Sequence, residues 1–287
     1  MVDRNIRVLF WQPNRVADND LDFGGCLNTI SAQPDLINYT NCGNGLLVRA
    51  ERLNFVNLAW EGDYVRQQTD NLPPIAHAGQ PLIANPNPMG HRSAFHYSTE
   101  HNILAIQYGR PGVAASAINS YIRRRIPGHK GFFMDPCLSS DAFLRLAAGS
   151  PRRLEMRVAR PNDLARIDPN FGMIEDSLSA LQNFVDGQVV DLSVGFERGQ
   201  RDALLNRERL LELFRWATGN RGQVKKFKVK LEEETDAIDM FAERMDKRGV
   251  LGLDADDLEA AYQTRIDFVR DAFEEHEVEL IGLYGQN

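Results

Sequence analysis

The chain has 287 residues, 43% of them hydrophobic and 25% charged, with a formal net charge of −7. That length can bury a substantial core as one large domain or two closely packed ones, at roughly 150 residues each. No apolar run approaches the roughly 20 residues a membrane-spanning helix needs, so membrane insertion is not expected and a cytoplasmic protein is.

The opening "MVDRNIRVLFWQP" lacks a cleavage-site pattern, and Ile6, Val8 and Phe10 alternate, so residues 4–12 read as a half-buried first strand. A helix follows over 21–32. "NCGNG" marks a turn, and "GLLVRAERLNFVNLAWEGDY" reads as two strands around a tight connection. Residues 70–92 contain Pro73, Pro74, Pro81, Pro86 and Pro88. Proline can neither donate to a ladder nor continue a helix, so an irregular loop or linker is expected there.

In "SAFHYSTEHNILAIQYGRPGVAASAINSYIRRRIP", Phe95 and Tyr97 share one strand face, "STEHN" turns, and "ILAIQY" is apolar enough for a central strand. "GRPG" breaks the chain, and Val113, Ala117 and Tyr121 give residues 113–125 helical spacing. "GFFMDPCL" reads as a strand ending at Pro136. A short helix over 139–148 follows, with Ser139 or Ser140 as its N-cap. In "RRLEMRVARP", Leu154, Met156 and Val158 alternate with Arg153, Glu155 and Arg157. Helices over 173–186 and 201–217 and strands over 188–196 and 223–231 come next. The tail, 236–276, is expected to be helical with a break near "RGVLGLD", Asp254 capping the last helix, and Leu258, Tyr262, Ile266 and Val269 on its apolar side. The fold class is α+β: a largely antiparallel sheet packed with helices, plus a helical acidic C-terminal part. Composition divides the chain into an N-terminal sheet-forming part (1–69), the proline-rich loop (70–92), a central part with basic segments (93–231) and the acidic tail (232–287).

Few residues carry an obvious chemistry. Cys26, Cys42 and Cys137 are odd in number and form no CxxC pair, which points to reduced, mostly buried thiols and not to a disulfide framework or zinc ribbon. His91, His96 and His101 recur every five residues, but neighbours in that series point to opposite strand faces, and there is no HExxH signature. There is no GxSxG elbow, no GxxxxGK[ST] loop and no strand-linked GxGxxG, so no cofactor is expected. One enzymatic alternative remains: Asp191 and Glu197 in "VVDLSVGFERGQ" share strand parity, as two carboxylates of a magnesium-dependent nuclease would.

Charge is segregated along the chain. Between residues 91 and 160 there are eleven Lys or Arg against four Asp or Glu; between 201 and 231 there are nine against three; from Glu232 onward there are five against seventeen. Arg123, Arg124 and Arg125 end a helix, where positive charge meets the negative end of the dipole, but three in a row, followed by Lys130, exceed what a cap requires. Arg152, Arg153 and Arg157 lie on one strand. Lys226, Lys228 and Lys230 line one face of another, a pattern that also protects a sheet edge. Together these ten residues fit a surface that follows a phosphate backbone without reading bases. The acidic tail could turn outward, pair with a partner subunit, or restrain binding.

The succession "SAFHYSTEHNILAIQYGRPGVAASAINSYI", "GFFMDPCL" and "RRLEMRVARP", then an acidic helical tail, resembles the RexA-like phage-exclusion family over about residues 90–165. That family is similar in fold to the ring-forming recombination protein RdgC, and the defence subunit KwaB is a looser analogue. The resemblance implies a cytoplasmic, dimeric, non-enzymatic DNA binder acting in abortive infection. Arg123, Arg124, Arg125, Arg153 and Arg157 would face DNA, the C-terminal helices would support dimer contacts, and a separate effector protein would receive the signal. The acidic total departs from that comparison. A module that binds only protein, with its charges serving self-assembly, is a further alternative.

Overall fold

The computed structural model describes residues 2–285 apart from 17–18, 44, 77, 80, 110, 165–170, 197–202, 221–222 and 255. The chain forms two compact units: Met1–Asp135 with Asp246–Asn287, and Pro136–Met245. The second unit is thus an insertion between two segments of the first. These crossings at 135/136 and 245/246 differ from the compositional boundaries at 69, 92 and 231. Composition follows surface charge, whereas the units follow strand pairing.

In the first unit the chain runs β1 (Val2–Arg15), α1 (Phe23–Ser31), β2 (Thr40–Asn41), β3 (Leu47–Val56), β4 (Ala59–Gln68), β5 (Met89–Ser98), β6 (Ile103–Tyr108), α2 (Ala115–Arg125) and β7 (Phe132–Pro136). The later segment adds an edge strand over Asp246–Leu253 and a long helix over Leu258–Tyr284. The sheet is antiparallel from that edge strand through β1, β6, β5, β4 and β3 to β2, with β7 also paired to β1. Strand alternation separates two cores. Leu9, Trp11, Tyr64, Phe95, Tyr97, Leu104 and Ile106 face α1 and α2, meeting Phe23, Leu27, Ile30, Ile118 and Tyr121. Phe10 and His96, of opposite parity, meet His276 and Phe273 of the long helix at 5.2 and 5.0 Å between rings.

The second unit contains α3 (Ser140–Ala148), β8 (Pro151–Ala159), a 3-10 turn (Pro161–Asp163), α4 (Gly172–Val185), β9 (Val189–Gly195), α5 (Arg207–Gly219), β10 (Val224–Leu231) and β11 (Ile238–Asp239). In the numbering of the whole chain, the returning strand Asp246–Leu253 is β12 and the final helix Leu258–Tyr284 is α6. The second sheet is antiparallel, in the order β11-β10-β8-β9. Leu154, Met156 and Val158 with Phe227, Val229 and Leu231 form its buried face, joined by Leu178 of α4 and Leu210 and Phe214 of α5.

Three local expectations are corrected. The tail is not helical ahead of its expected break: Ile238–Asp239 is β11, and the break at "RGVLGLD" lies in a strand, Asp246–Leu253, where Gly249, Val250 and Gly252 are poor helix formers and the segment completes a ladder along β1 from Val2↔Leu253 to Leu9↔Asp246. Gly249 also permits α6 to cross closely, since a Cβ there would lie 2.7 Å from the Phe268 ring. The helix cap is Asp257, whose side chain accepts from the Glu259 and Ala260 amides. Asp254 instead accepts from the Asp256 and Asp257 amides, turning the chain toward the helix. The proline-rich loop ends earlier than expected, because β5 begins at Met89.

The contact between α6 and the sheet is unusually polar. Glu61 and Asp63 on β4 point away from the α1–α2 core toward α6. Arg270 donates two 2.8 Å bonds to Glu61, which also accepts from His96 Nδ1 at 3.0 Å. Arg265 donates to Asp63 at 2.9 Å, and Arg92 lies 3.9 Å from the same carboxylate. Arg52 pairs with Glu259 and lies 4.3 Å from the Tyr262 ring centroid. Burial raises Glu61, but the hydrogen bonds and charges of His96 and Arg270 outweigh it and hold the carboxyl at about 2. At Asp63, which is 0% exposed, burial prevails over Arg265, Arg92 and Arg52 and the carboxyl is pushed up.

Candidate nucleic-acid interface

The outward face of the second sheet gathers most of the basic residues that the sequence singles out. Because β8 alternates from Arg153 to Val158 and β10 from Lys226 to Leu231, burying one face leaves the other to charge. The registers Lys226↔Arg157 and Lys230↔Arg153 set cations of the two strands side by side, and between them Lys228 stands opposite Glu155. On the flanks, Asp191 of β9 stands opposite Arg157 and Asp239 of β11 opposite Lys228. These registers set five cations (Arg153, Arg157, Lys226, Lys228, Lys230) and three carboxylates (Glu155, Asp191, Asp239) on that face, and Lys225 is exposed at the β10 irregularity beside them. Same-face residues repeat about every 6.7 Å along a strand and neighbouring strands lie about 4.8 Å apart. Lysines 226, 228 and 230 thus repeat at about twice the roughly 3.4 Å rise per phosphate of one strand measured along a duplex axis.

The carboxylates temper this positive face. Arg157 donates a bidentate pair to Asp191 at 2.7 and 3.0 Å, holding that carboxyl below its ordinary value. Lys226 bonds Glu155 at 2.5 Å and lowers it likewise. Lys228 lies 3.7 Å from Asp239, Lys230 donates to the Thr235 carbonyl, and Arg153 donates to Ser193 at 2.8 Å. Each of these ion pairs is solvent-exposed to a third or more on at least one side, so water screens it and it is exchangeable for a phosphate. Arg152 has the parity of the buried face. It donates to the Ala203 carbonyl and lies 5.9 Å from the Phe196 ring centroid, apart from the outward grid.

The arginines of α2 belong to the first unit. Arg123 and Arg124 are exposed, with the Arg123 stem lying over Gly131. Arg125 turns back on its own unit, donating to Asp35 at 2.6 and 3.0 Å and to Gln33 at 2.7 Å, with a side chain only 9% exposed. Lys130 is exposed, and its backbone amide donates to Asn19. The sequence showed the cations but not the partners Asp35 and Asp239, which lie far away or in a different element. Glu155 could be read from its parity with Arg153 and Arg157.

The enzymatic alternatives gain little geometry. Asp191 is bonded to Arg157, and Glu197 lies outside the described residues. Among the described residues no group of three or more His, Cys, Asp or Glu could hold a metal ion. His91 bonds Gln68, His96 bonds Glu61, and His101 sits in the β5–β6 turn. A cysteine–histidine contact does occur that the sequence conceals: Cys26 Sγ lies 3.4 Å from His129 Nε2. The Gly131 amide donates to His129 Nδ1 at 3.0 Å, which leaves the ring proton on Nε2 and makes it a donor toward the sulfur. Burial and Asp22 push the Cys26 thiol up to about 12, so this pair is no nucleophile–base dyad. All three cysteines are free thiols, and no helix among the described residues is long and apolar enough to cross a membrane.

No family model matches the chain, and no curated protein matches its sequence.

Proposed function

We propose that this chain is a non-enzymatic, sequence-independent DNA-binding protein that works as a homodimeric sensor in phage exclusion or a related defence, passing its signal to a separate effector. The observation that carries the reading is the cation grid on the outward face of β8 and β10, held by exposed, exchangeable ion pairs. Arg123, Arg124 and Lys130 add a second basic group on the first unit. The defence role rests on the resemblance of residues 90–165 to the RexA-like family. Cytoplasmic location is part of the same proposal.

The carboxylates on the grid make the reading testable. Binding of a fluorescent duplex should weaken log-linearly with salt, with a slope near −0.9 per phosphate neutralised. Replacing Lys226, Lys228 and Lys230 together by Gln should lower that slope by up to about 3. Asp191→Asn, which frees Arg157, should tighten binding and raise the slope by about 1. Magnesium-dependent loss of duplex, abolished by Asp191→Asn, would replace this reading with the nuclease one. Binding unaffected by salt or by the lysine changes would overturn it.

A further inference from the structure

The second unit has a sheet edge, β9, with no further strand paired to it among the described residues. Of the strands that end the two sheets, β2 and β11 have two residues each, too short to template another strand. The edge strand β12 carries Asp246, Lys247 and Arg248. β9 has seven residues, Val189–Gly195, and pairs with β8 without a register shift. It contains neither lysine nor proline, and its single charge, Asp191, is neutralised by Arg157 of its own sheet.

Beside this edge, α4 has more apolar surface than its unit covers. Ile174 and Leu178 pack into the core, while Met173, Leu181 and Phe184 recur at i, i+8 and i+11 on a neighbouring stripe. Phe184 is 88% and Met173 85% exposed, and Val185, Val194 and Phe196 are also exposed. At on the order of 100 Å² each, these six side chains offer roughly 600 Å². That reaches the upper end of the largest patch on a typical monomer and approaches the ~800 Å² that one partner gives to a standard interface.

We infer that β9 and α4 form an isologous interface in which β9 pairs antiparallel with β9 of a second copy of this chain. The strand is self-complementary in the one register that uses its full length. A twofold axis through Leu192 sets Val189 against Gly195, Val190 against Val194 and Asp191 against Ser193, with Leu192 meeting its own copy. Val190, Leu192 and Val194 continue the buried face, Asp191 and Ser193 with Val189 and Gly195 the outward face, and no like charges meet. A register centred on Asp191 would oppose two carboxylates. The pairing joins two four-stranded sheets into one of eight and lays the two α4 helices on the same side, where their uncovered stripes meet. It would also unite the two cation grids on one continuous face. The inference deepens the homodimer clause of the proposed function and needs nothing from its DNA clause.

Sedimentation equilibrium of the full chain tests it, with Phe184→Glu and Val194→Lys as variants, both at exposed positions where folding is not at stake. Wild type should be a dimer, and either change should weaken self-association by about 30-fold or more. Under mild oxidation, Leu192→Cys should cross-link to its own copy, because the register sets the two Cα atoms about 4.5–5.5 Å apart. A wild-type dimer that ignores both charges, with no cross-link in the Leu192→Cys variant, would refute this interface and leave the homodimer clause standing. A monomeric wild type would overturn both. DNA affinity, measured separately, bears on neither result.

Discussion

The pair Asp63–Arg265 offers a sharp test of how α6 is held. Asp63 is 0% exposed, its Oδ2 accepts from Arg265 at 2.9 Å, and its Oδ1 has no hydrogen-bond partner among the described residues. Burial raises the carboxyl and lowers the Arg265 guanidinium, so for both groups desolvation exceeds the mutual attraction. Arg265→Met strands a buried carboxylate with Arg92, 3.9 Å away, and the more distant charge of Arg52 as partial compensation. Removing one member of a buried pair typically costs about 3–5 kcal/mol, and the remaining arginines set the expectation at about 3. Removing both charges has the opposite sense: Asp63→Val with Arg265→Met should restore wild-type stability or exceed it by about 1–4 kcal/mol. Urea unfolding of wild type, the single variant and the double variant, compared at a common m value, measures this directly. A single variant losing under about 1 kcal/mol, or a double variant as unstable as the single, would refute the assignment of desolvation as the dominant effect.

Three further outcomes are expected. Glu61 sits at about 2 in the folded chain against an ordinary 4.5, so the unfolded state binds more protons between those values. Its stabilisation is complete above the ordinary value and is lost as pH falls through about 2. The gap corresponds to about 3 kcal/mol, and Glu61→Gln should flatten that part of the acid-unfolding profile. Gly62 lies where a Cβ would collide with the Arg52 carbonyl and approach Phe95 at 2.8 Å, beside the β3 bulge. Because a backbone atom cannot move aside, Gly62→Ala should lower stability by at least about 2 kcal/mol in the same urea assay. At the β3–β4 turn, Asn57 and Leu58 both have left-handed backbones, with φ of 51 and 61°, and Leu58 is exposed. Leu58→Gly supplies the residue this turn prefers and should raise stability by about 1 kcal/mol, seen as a higher melting temperature.

Local sequence determined the elements whose side chains report on their own surroundings. The alternation of Leu154, Met156 and Val158 with Arg153, Glu155 and Arg157 marked β8 and already assigned its two faces, because a strand's period of two makes that assignment by itself. The same holds for Lys226, Lys228 and Lys230 on β10, for the helix ending at Arg125, and for the α+β class. Tertiary structure alone decided what those charges meet. Arg125 is turned inward by Asp35, 90 residues away, and the polar layer under α6 joins β4 to residues more than 200 positions later. The strand at 246–253 belongs to the same category. Its charged, glycine-containing sequence has no strong local preference, and it is a strand because β1 presents an open ladder for it. The two units are likewise illegible from composition, since the second is inserted between strands of the first and only pairing reveals the join. Periodicity records which way a side chain points, while ion pairs and sheet order depend on chain segments that only folding brings together.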